Sequence, residues 1–590
     1  MLGMWRWVNG IVLRSDFGQW FVGLLEPILL ILGVCPLPDL EHPIIRTDPA
    51  LAHTASPPRS TRGTDPVLAR VVPVRVPDWR LPLRPCSIRL PLFLPLAEVR
   101  ATAKLHTGDL RATPRFRALF TFASVSDASP HVLLVPYPAQ GHMQPLLHLA
   151  SLLAARGLRL TVVETPATTH LLAPLLAEHP SSVRSLSFPS TVDHDTSGPT
   201  FIGADFHAHA AALRAPLGEW LRSHDRSDSK DDDVAADGRV VAVISDFFCG
   251  WTQPLAAEAG VPRLVFAPSG VLATATTHSL FRRMPRPPEG DAGRGYAVSF
   301  PALPDAPSYP WQQISRMYRS YAEGGRDEHS EGIKDNFLWN MEGLAFVCNT
   351  CHPLEGKYLE AQPLEDLASK RVWAVGPVAP PRASTGEGDP AGDVNAWLDA
   401  FPDSSVAYVS FGTMMVPPRP HAAALAAALE RSGTPFVWAA ATATLPDGFE
   451  DRAVAAGTGL VLRGWAPQVA ALRHRAVGCF VTHCGWNSVL EACAAGVPML
   501  AWPMAADQFF NARLVVEEAR VALAASWGGF GAVPEADELA RALAQVVGEA
   551  GAGMRARAVE IAAGMAEAIG EGGSSRRELD GLVQELGRGR

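Results

Sequence analysis

The chain has little cysteine, eight in 590 residues. Cys35, Cys86, Cys249, Cys348, Cys351, Cys479, Cys484 and Cys493 show no paired spacing of a metal site. The nearest approach, Cys348-Asn349-Thr350-Cys351, is a lone CxxC with no partner pair, a weak zinc or redox signal. A disulfide scaffold is therefore excluded, and a reducing compartment fits. Basic charge is not in excess either: 51 Lys+Arg face 60 Asp+Glu, a net of −9. That balance gives no footprint for nucleic acid. A spanning apolar run is missing too. Phe21 to Val34 is broken by Glu26-Pro27 and is shorter than a membrane helix needs, so no stable membrane insertion is expected. Arg6 and Arg14 precede it as in a signal peptide, but no small-residue cleavage site follows. A GxGxxG loop is also lacking, which argues against a dinucleotide ligand.

What is present is divided unevenly. Residues 1–127 hold 15 Lys+Arg and 10 Asp+Glu, a net of +5, and the rest holds 36 and 50, a net of −14. This first segment is Pro- and Arg-rich, and no helical or strand period survives in it. It is expected to be a low-order extension or coding sequence upstream of the true start, and its arginines also allow an organellar transit peptide.

From residue 128 on, buried-strand compositions alternate with helical ones, the pattern of a doubly wound α/β domain. His131 to Pro136 is an apolar strand. The loop Tyr137-Pro138-Ala139-Gln140-Gly141-His142 follows, then a helix expected from Met143 to Gly157, then a strand from Leu160 to Val163. This sets His142 at the carboxyl edge of a strand. A second strand, Val240 to Ser245, delivers Asp246. A neutral imidazole oriented by a carboxylate is a general base suited to neutral pH. An aspartate at a strand end is also a common cap of the next turn. His148 reads as packing, and His207 and His209 as acceptor-cleft or surface residues. Phe206, Trp311 and Phe337 are aromatic candidates for a pocket, with core packing as the plainer reading. Asp231-Asp232-Asp233 resembles a metal-binding DxD, but its Ser/Asp-rich surroundings say solvated loop.

A Pro/Gly/Ala-rich linker is expected at 379–392, between a first domain at 128–378 and a second at 393–568. In the second, Val406 to Ser410 leads into Phe411-Gly412-Thr413. The densest stretch is Trp465 to Gln508, WAPQVAALRHRAVGCFVTHCGWNSVLEACAAGVPMLAWPMAADQ. Its strand Ala476 to Val481 runs into Thr482-His483-Cys484-Gly485, and a helix follows from Trp486 to Ala495. A strand-to-helix turn with Gly offers free N–H groups and the positive end of a helix, a site for phosphate. Asn487 and Ser488 lie in its first turn. Glu491, one turn on, can accept hydrogen bonds from two ribose hydroxyls. Trp465 can stack on a base. The strand Met499 to Pro503 brings Asp507 and Gln508 to the same edge. Cys479, Cys484 and Cys493 are left as core.

These 44 positions match, without a gap, the signature box of plant secondary-product glycosyltransferases, and the chain resembles that branch of the UDP-sugar-dependent family 1 enzymes. The resemblance implies a GT-B fold, two facing Rossmann-like domains, with a last helix at 569–590 crossing back to the first domain. It implies that Trp465 stacks on uracil and the Ala466 backbone pairs with it. Gln468 and Glu491 would hold the ribose, and Thr413, His483, Gly485, Asn487 and Ser488 the diphosphate. Trp486, Asp507 and Gln508 would face the sugar. His142 would be the general base and Asp246 its partner. No metal and no resident cofactor is implied. The donor would be a UDP-sugar and the acceptor a small phenolic, in a cytoplasmic monomer. A closing Gln goes with glucose in the family, and an Asp-His ending with rhamnose in some members. Asp507 therefore keeps a rhamnosyltransferase as the second reading, and a UDP-sugar-binding protein without turnover as a third. SDFFCGWT and YPWQQISRMYRS resemble the flavonol 7-O-glycosyltransferase and hydroxybenzoate glucosyltransferase subgroup.

Overall fold

A computed structural model describes residues 129–189, 202–224, 238–288, 295–324, 327–378 and 390–588. The extension at 1–127, the Asp231–Asp233 run, the Phe206 and His207 side chains and most of the 379–392 linker lie outside them, as do Cys35 and Cys86.

Two parallel sheets organise the rest. The first contains β1 (His131–Val135), β2 (Arg159–Glu164), β3 (Val183–Ser187), β4 (Val240–Asp246) and β5 (Arg263–Ala267). A small antiparallel hairpin, β6 (Ala297–Ser299) and β7 (Ser308–Pro310), stands apart. β8 (Ala345–Cys348) and β9 (Arg371–Ala374) complete the first sheet, in the order β3-β2-β1-β4-β5-β8-β9. The second sheet holds β10 (Val406–Ser410), β11 (Phe436–Ala439), β12 (Gly459–Leu462), β13 (Val477–Thr482), β14 (Met499–Ala501) and β15 (Ala522–Ala524), in the order β12-β11-β10-β13-β14-β15. The inner strands β1, β5, β10 and β13 are buried on both faces because helices cover both sides.

Side chains alternate between two cores along each strand, as the two-residue period demands. Val132 and Leu134 of β1 face one layer, Leu133 and Val135 the other. The first layer receives Leu146, Leu149 and Leu153 of α1 (Gln140–Ala154). It also receives Leu579, Leu582 and Leu586 of the last helix. The second layer runs on without a break into the second sheet, to Tyr408, Phe480 and Met499. It includes α2 (Val271–Arg283), which is buried nearly throughout.

Four further helices matter below: α3 (His352–Glu360), α4 (Trp486–Ala495), α5 (Gln508–Arg513) and α6 (Ser574–Arg588). One expectation needs correction. α1 begins at Gln140, not at Met143, so His142 sits in its first turn. Its N-cap is Ala139, which offers no side-chain acceptor, so the usual Ser/Thr/Asp/Asn start signal is absent.

In each sheet the strand order reverses once beside the first strand, at β1/β4 and at β10/β13. Ligands of open α/β sheets bind at such switch points, beyond the carboxyl ends of the strands. His142 follows β1 and Asp246 ends β4. Thr413 follows β10, and His483 follows β13.

Candidate active site

At the first switch point, His142 Nδ1 lies 3.0 Å from Asp246 Oδ2 and 3.1 Å from Oδ1. Asp246 is fully buried. Its Oδ1 also accepts the Phe248 N–H at 2.8 Å, so this carboxylate is both partner and cap. An acceptor on that side fixes the proton on Nδ1 and leaves Nε2 with a lone pair. Phe248 stacks on the imidazole at 4.9 Å and Tyr137 meets it edge-on at 5.4 Å. The ring is thereby held in place with an 18% exposed side chain.

Pro145 shapes the same turn. It lacks an N–H, so the carbonyl four residues earlier, on Gly141, has no helical partner. Asn487 Nδ2 donates to that carbonyl at 2.9 Å from the opposite domain.

At the second switch point, His483 is buried, and desolvation pushes its pKa down to about 4 despite a backbone contact with Ser410. It is neutral at pH 7. It fits because its neighbours are glycines. A Cβ at Gly412 would lie 2.9 Å from Nε2 and one at Gly485 2.4 Å. Thr413 is exposed beside Gly412. α4 starts at Gly485 with no side-chain cap. Its first N–H groups therefore keep no side-chain acceptor at the turn holding His483, Asn487 and Ser488. Cys484, just before it, takes a left-handed φ of 63°, and its carbonyl is held by Asn511 Nδ2 at 3.1 Å.

Next to this turn, Gln468 Nε2 donates to Glu491 Oε2 at 2.7 Å and to Ser488 Oγ at 3.3 Å. Burial pushes the Glu491 carboxyl up, opposed by Gln468 and by Arg473. Trp465 is 67% exposed, unusual for an indole that has no core to join. Ala466 follows it, half-buried, its carbonyl accepting the Gln468 N–H at 2.9 Å.

The three remaining box residues each have protein partners. Trp486 is buried, and its indole N–H donates to the Asn349 carbonyl of the first domain at 2.7 Å. Asp507 Oδ2 accepts from Ser269 Oγ at 2.8 Å and from Asn511 Nδ2 at 3.1 Å. Gln508 is buried, and its Oε1 accepts the Met504 and Ala505 N–H groups at 2.8 and 2.9 Å, closing its own turn.

Sequence reasoning missed Ser269, Asn511 and Glu355. Asn511 was findable, one helical turn from Asp507. Glu355 had no local signal. It is buried under α2, where its carboxylate accepts the Val271 and Leu272 N–H groups at 2.7 and 2.8 Å and the Thr350 hydroxyl. Burial outweighs these donors and pushes it up to about 7.

Other candidates are buried packing groups. Trp311 and Phe337 are core. The first donates its N–H to Glu323 at 2.9 Å, and the second stacks on Phe281 at 4.6 Å. His209 is buried edge-on to Tyr137 and is not at the surface. Cys348 and Cys351 are buried thiols whose pKa values burial pushes up.

The family described as UDP-glucoronosyl and UDP-glucosyl transferase matches residues 386–550. A glycosyltransferase N-terminal domain matches residues 129–258. UDP-glycosyltransferase 89B2 of Stevia rebaudiana is 41% identical over 434 residues, 70% of this chain and 88% of that protein. The chain belongs to the UDP-glycosyltransferase family. Flavonol 3-O-glucosyltransferase UGT89B1 of Arabidopsis thaliana is 42% identical over 445 residues, 71% of this chain and 88% of that one. The crystal structure of Arabidopsis thaliana UGT89C1 complexed with UDP-L-rhamnose is 32% identical, with a TM-score of 0.61, covering 78% of this chain and 99% of that one. The glycosyltransferase thus has the GT-B fold, and its two switch points belong to the two domains of that fold. Among the described residues no helix is long and apolar enough to cross a membrane.

Proposed function

We propose that this UDP-glycosyltransferase moves glucose from UDP-glucose to a phenolic hydroxyl of a small plant acceptor, a flavonoid or a hydroxybenzoate, with inversion at the anomeric carbon. The observation that carries the reading is the His142–Asp246 pair, beside a turn to which Asn487 of the donor box is bonded. His142 Nε2 takes the acceptor proton, and Asp246 stabilises the imidazolium that forms. The acceptor oxygen attacks the anomeric carbon while the bond to the diphosphate breaks. UDP leaves with its new charge facing the N-terminus of α4, Asn487, Ser488 and a neutral His483. Trp465 and Ala466 take the base, Gln468 and Glu491 the ribose, and Thr413 and Gly485 the diphosphate. Trp486, Asp507 and Gln508 take the sugar. No metal and no resident cofactor enters this reaction. The same reading makes the protein a cytoplasmic monomer.

Asp507 favours UDP-rhamnose as the second donor. The relative solved with UDP-L-rhamnose adds to that case. The test is product mass from the full chain with either donor, against flavonols and hydroxybenzoates. A glucose-sized gain supports the first reading and a rhamnose-sized gain alone the second. UDP binding without any product would favour a binding protein.

A further inference from the structure

One oxygen of the Asp507 carboxylate is already tied to protein donors. Oδ2 is occupied by Asn511 of its own helix and by the Ser269 hydroxyl, which comes from the first domain. Ser269 is 5% exposed and spends its one proton on this bond. Its loop cannot shift easily. Glu355 holds the first two N–H groups of α2 just beyond it. Gly270 is boxed in, since a Cβ there would lie 2.6 Å from Glu355 Oε2 and 2.8 Å from the Trp486 ring. That ring is itself tied to Asn349. The hydroxyl is therefore offered from a rigid support to a carboxylate of the facing domain.

We propose that Ser269 is a positioning residue for the donor sugar, pinning Oδ2 of Asp507 so that Oδ1 is held in one orientation to accept hexose hydroxyls. The proposal rests on the donor reading above. A carboxylate freed from one of its two anchors samples other rotamers, and a sugar hydroxyl must then order it on binding. The nucleotide half of the donor does not feel this, because Trp465, Gln468 and Glu491 lie on other elements. The effect should fall on the sugar alone, by about tenfold, as for one hydrogen bond to a charged group.

The experiment is calorimetric titration of the full chain with UDP and with UDP-glucose or UDP-rhamnose, whichever the wild type binds more tightly. Ser269→Ala should weaken the UDP-sugar about tenfold and leave UDP within about twofold. Ser269→Thr, which keeps the hydroxyl, should restore most of the affinity. In an Asp507→Ala background, Ser269→Ala should add nothing. An additive double variant would mean that Ser269 touches the sugar itself, and the proposal would fall. Equal weakening of UDP and UDP-sugar, or no weakening, would overturn it as well. A wild type that binds neither nucleotide would instead remove the donor reading, and this proposal with it.

Discussion

His142 and His483 sit in contrasting surroundings. The first keeps a partly exposed ring against a buried carboxylate. The second has no such partner and stays neutral. His142→Ala should lower kcat by about 10²- to 10⁴-fold and leave UDP affinity unchanged, measured by initial rates and calorimetry. Asp246→Ala should lower kcat and also stability, by about 1–2 kcal/mol, because the Phe248 N–H loses its cap. His483 predicts a pH dependence. Its folded pKa of about 4 lies below its ordinary value of 6.5. Its neutral burial therefore favours the fold above pH 6.5, and this contribution is lost as pH falls through about 4. Urea unfolding of wild type and His483→Gln at pH 7, 5 and 4 should show the wild type losing more, on the order of 3 kcal/mol. Glu355 runs the other way, with a folded value of about 7 above its ordinary 4.5. What it adds is present below pH 4.5 and lost as pH rises through 7. The positions of the two histidines at the sheet edges were legible in the sequence because each follows an apolar strand. The partners of Trp486 and Asp507 were not, since Asn349 and Ser269 lie 137 and 238 residues away in the chain.

At the scale of the element, the strands were the clearest part of the sequence. Val406 to Ser410 is a strand as read, and Val240 to Ser245 and Ala476 to Val481 agree to within one residue at each end. Unbroken apolar composition is hard to mistake when helices cover both faces. Helix starts were harder. α1 has no polar cap, and its Pro145 looks like a helix breaker. It instead releases the Gly141 carbonyl for Asn487. Pro145→Ala would supply an N–H to that carbonyl. The expected result is a helix as stable or more so, with a severalfold higher KM for the UDP-sugar because Asn487 has lost its sole claim on Gly141. Thermal unfolding and initial rates on one preparation check both halves. A raised melting temperature with unchanged KM would mean that the carbonyl serves both donors through its two lone pairs. Trp311 and Phe337 took the plainer of their two readings, core packing. Composition marks Trp311 and Phe337 as buried or pocket-lining alike, and only their neighbours decide between the two.

At the scale of the molecule, the chain does not keep its two domains separate. α6 lies against the first sheet, with Arg156 bonded to Asp580 at 2.7 Å and Leu582 wholly buried. Leu582→Ala should cost about 2–5 kcal/mol in denaturant unfolding. That loss should appear with the first domain's own signals, such as Trp373 fluorescence. A chain ending at residue 573 should expose the α1 side of the first sheet and become sensitive to protease. An exposed Leu582, or a truncated chain as resistant as the whole, would sink that expectation. The placement of α6 also orders events during synthesis. A ribosome makes the first domain's strands early, yet the helix that closes their outer face emerges some 200 residues later, after β9 and the whole second sheet. The first half of the nascent chain must therefore wait, partly uncovered and open to chaperones, for its final piece.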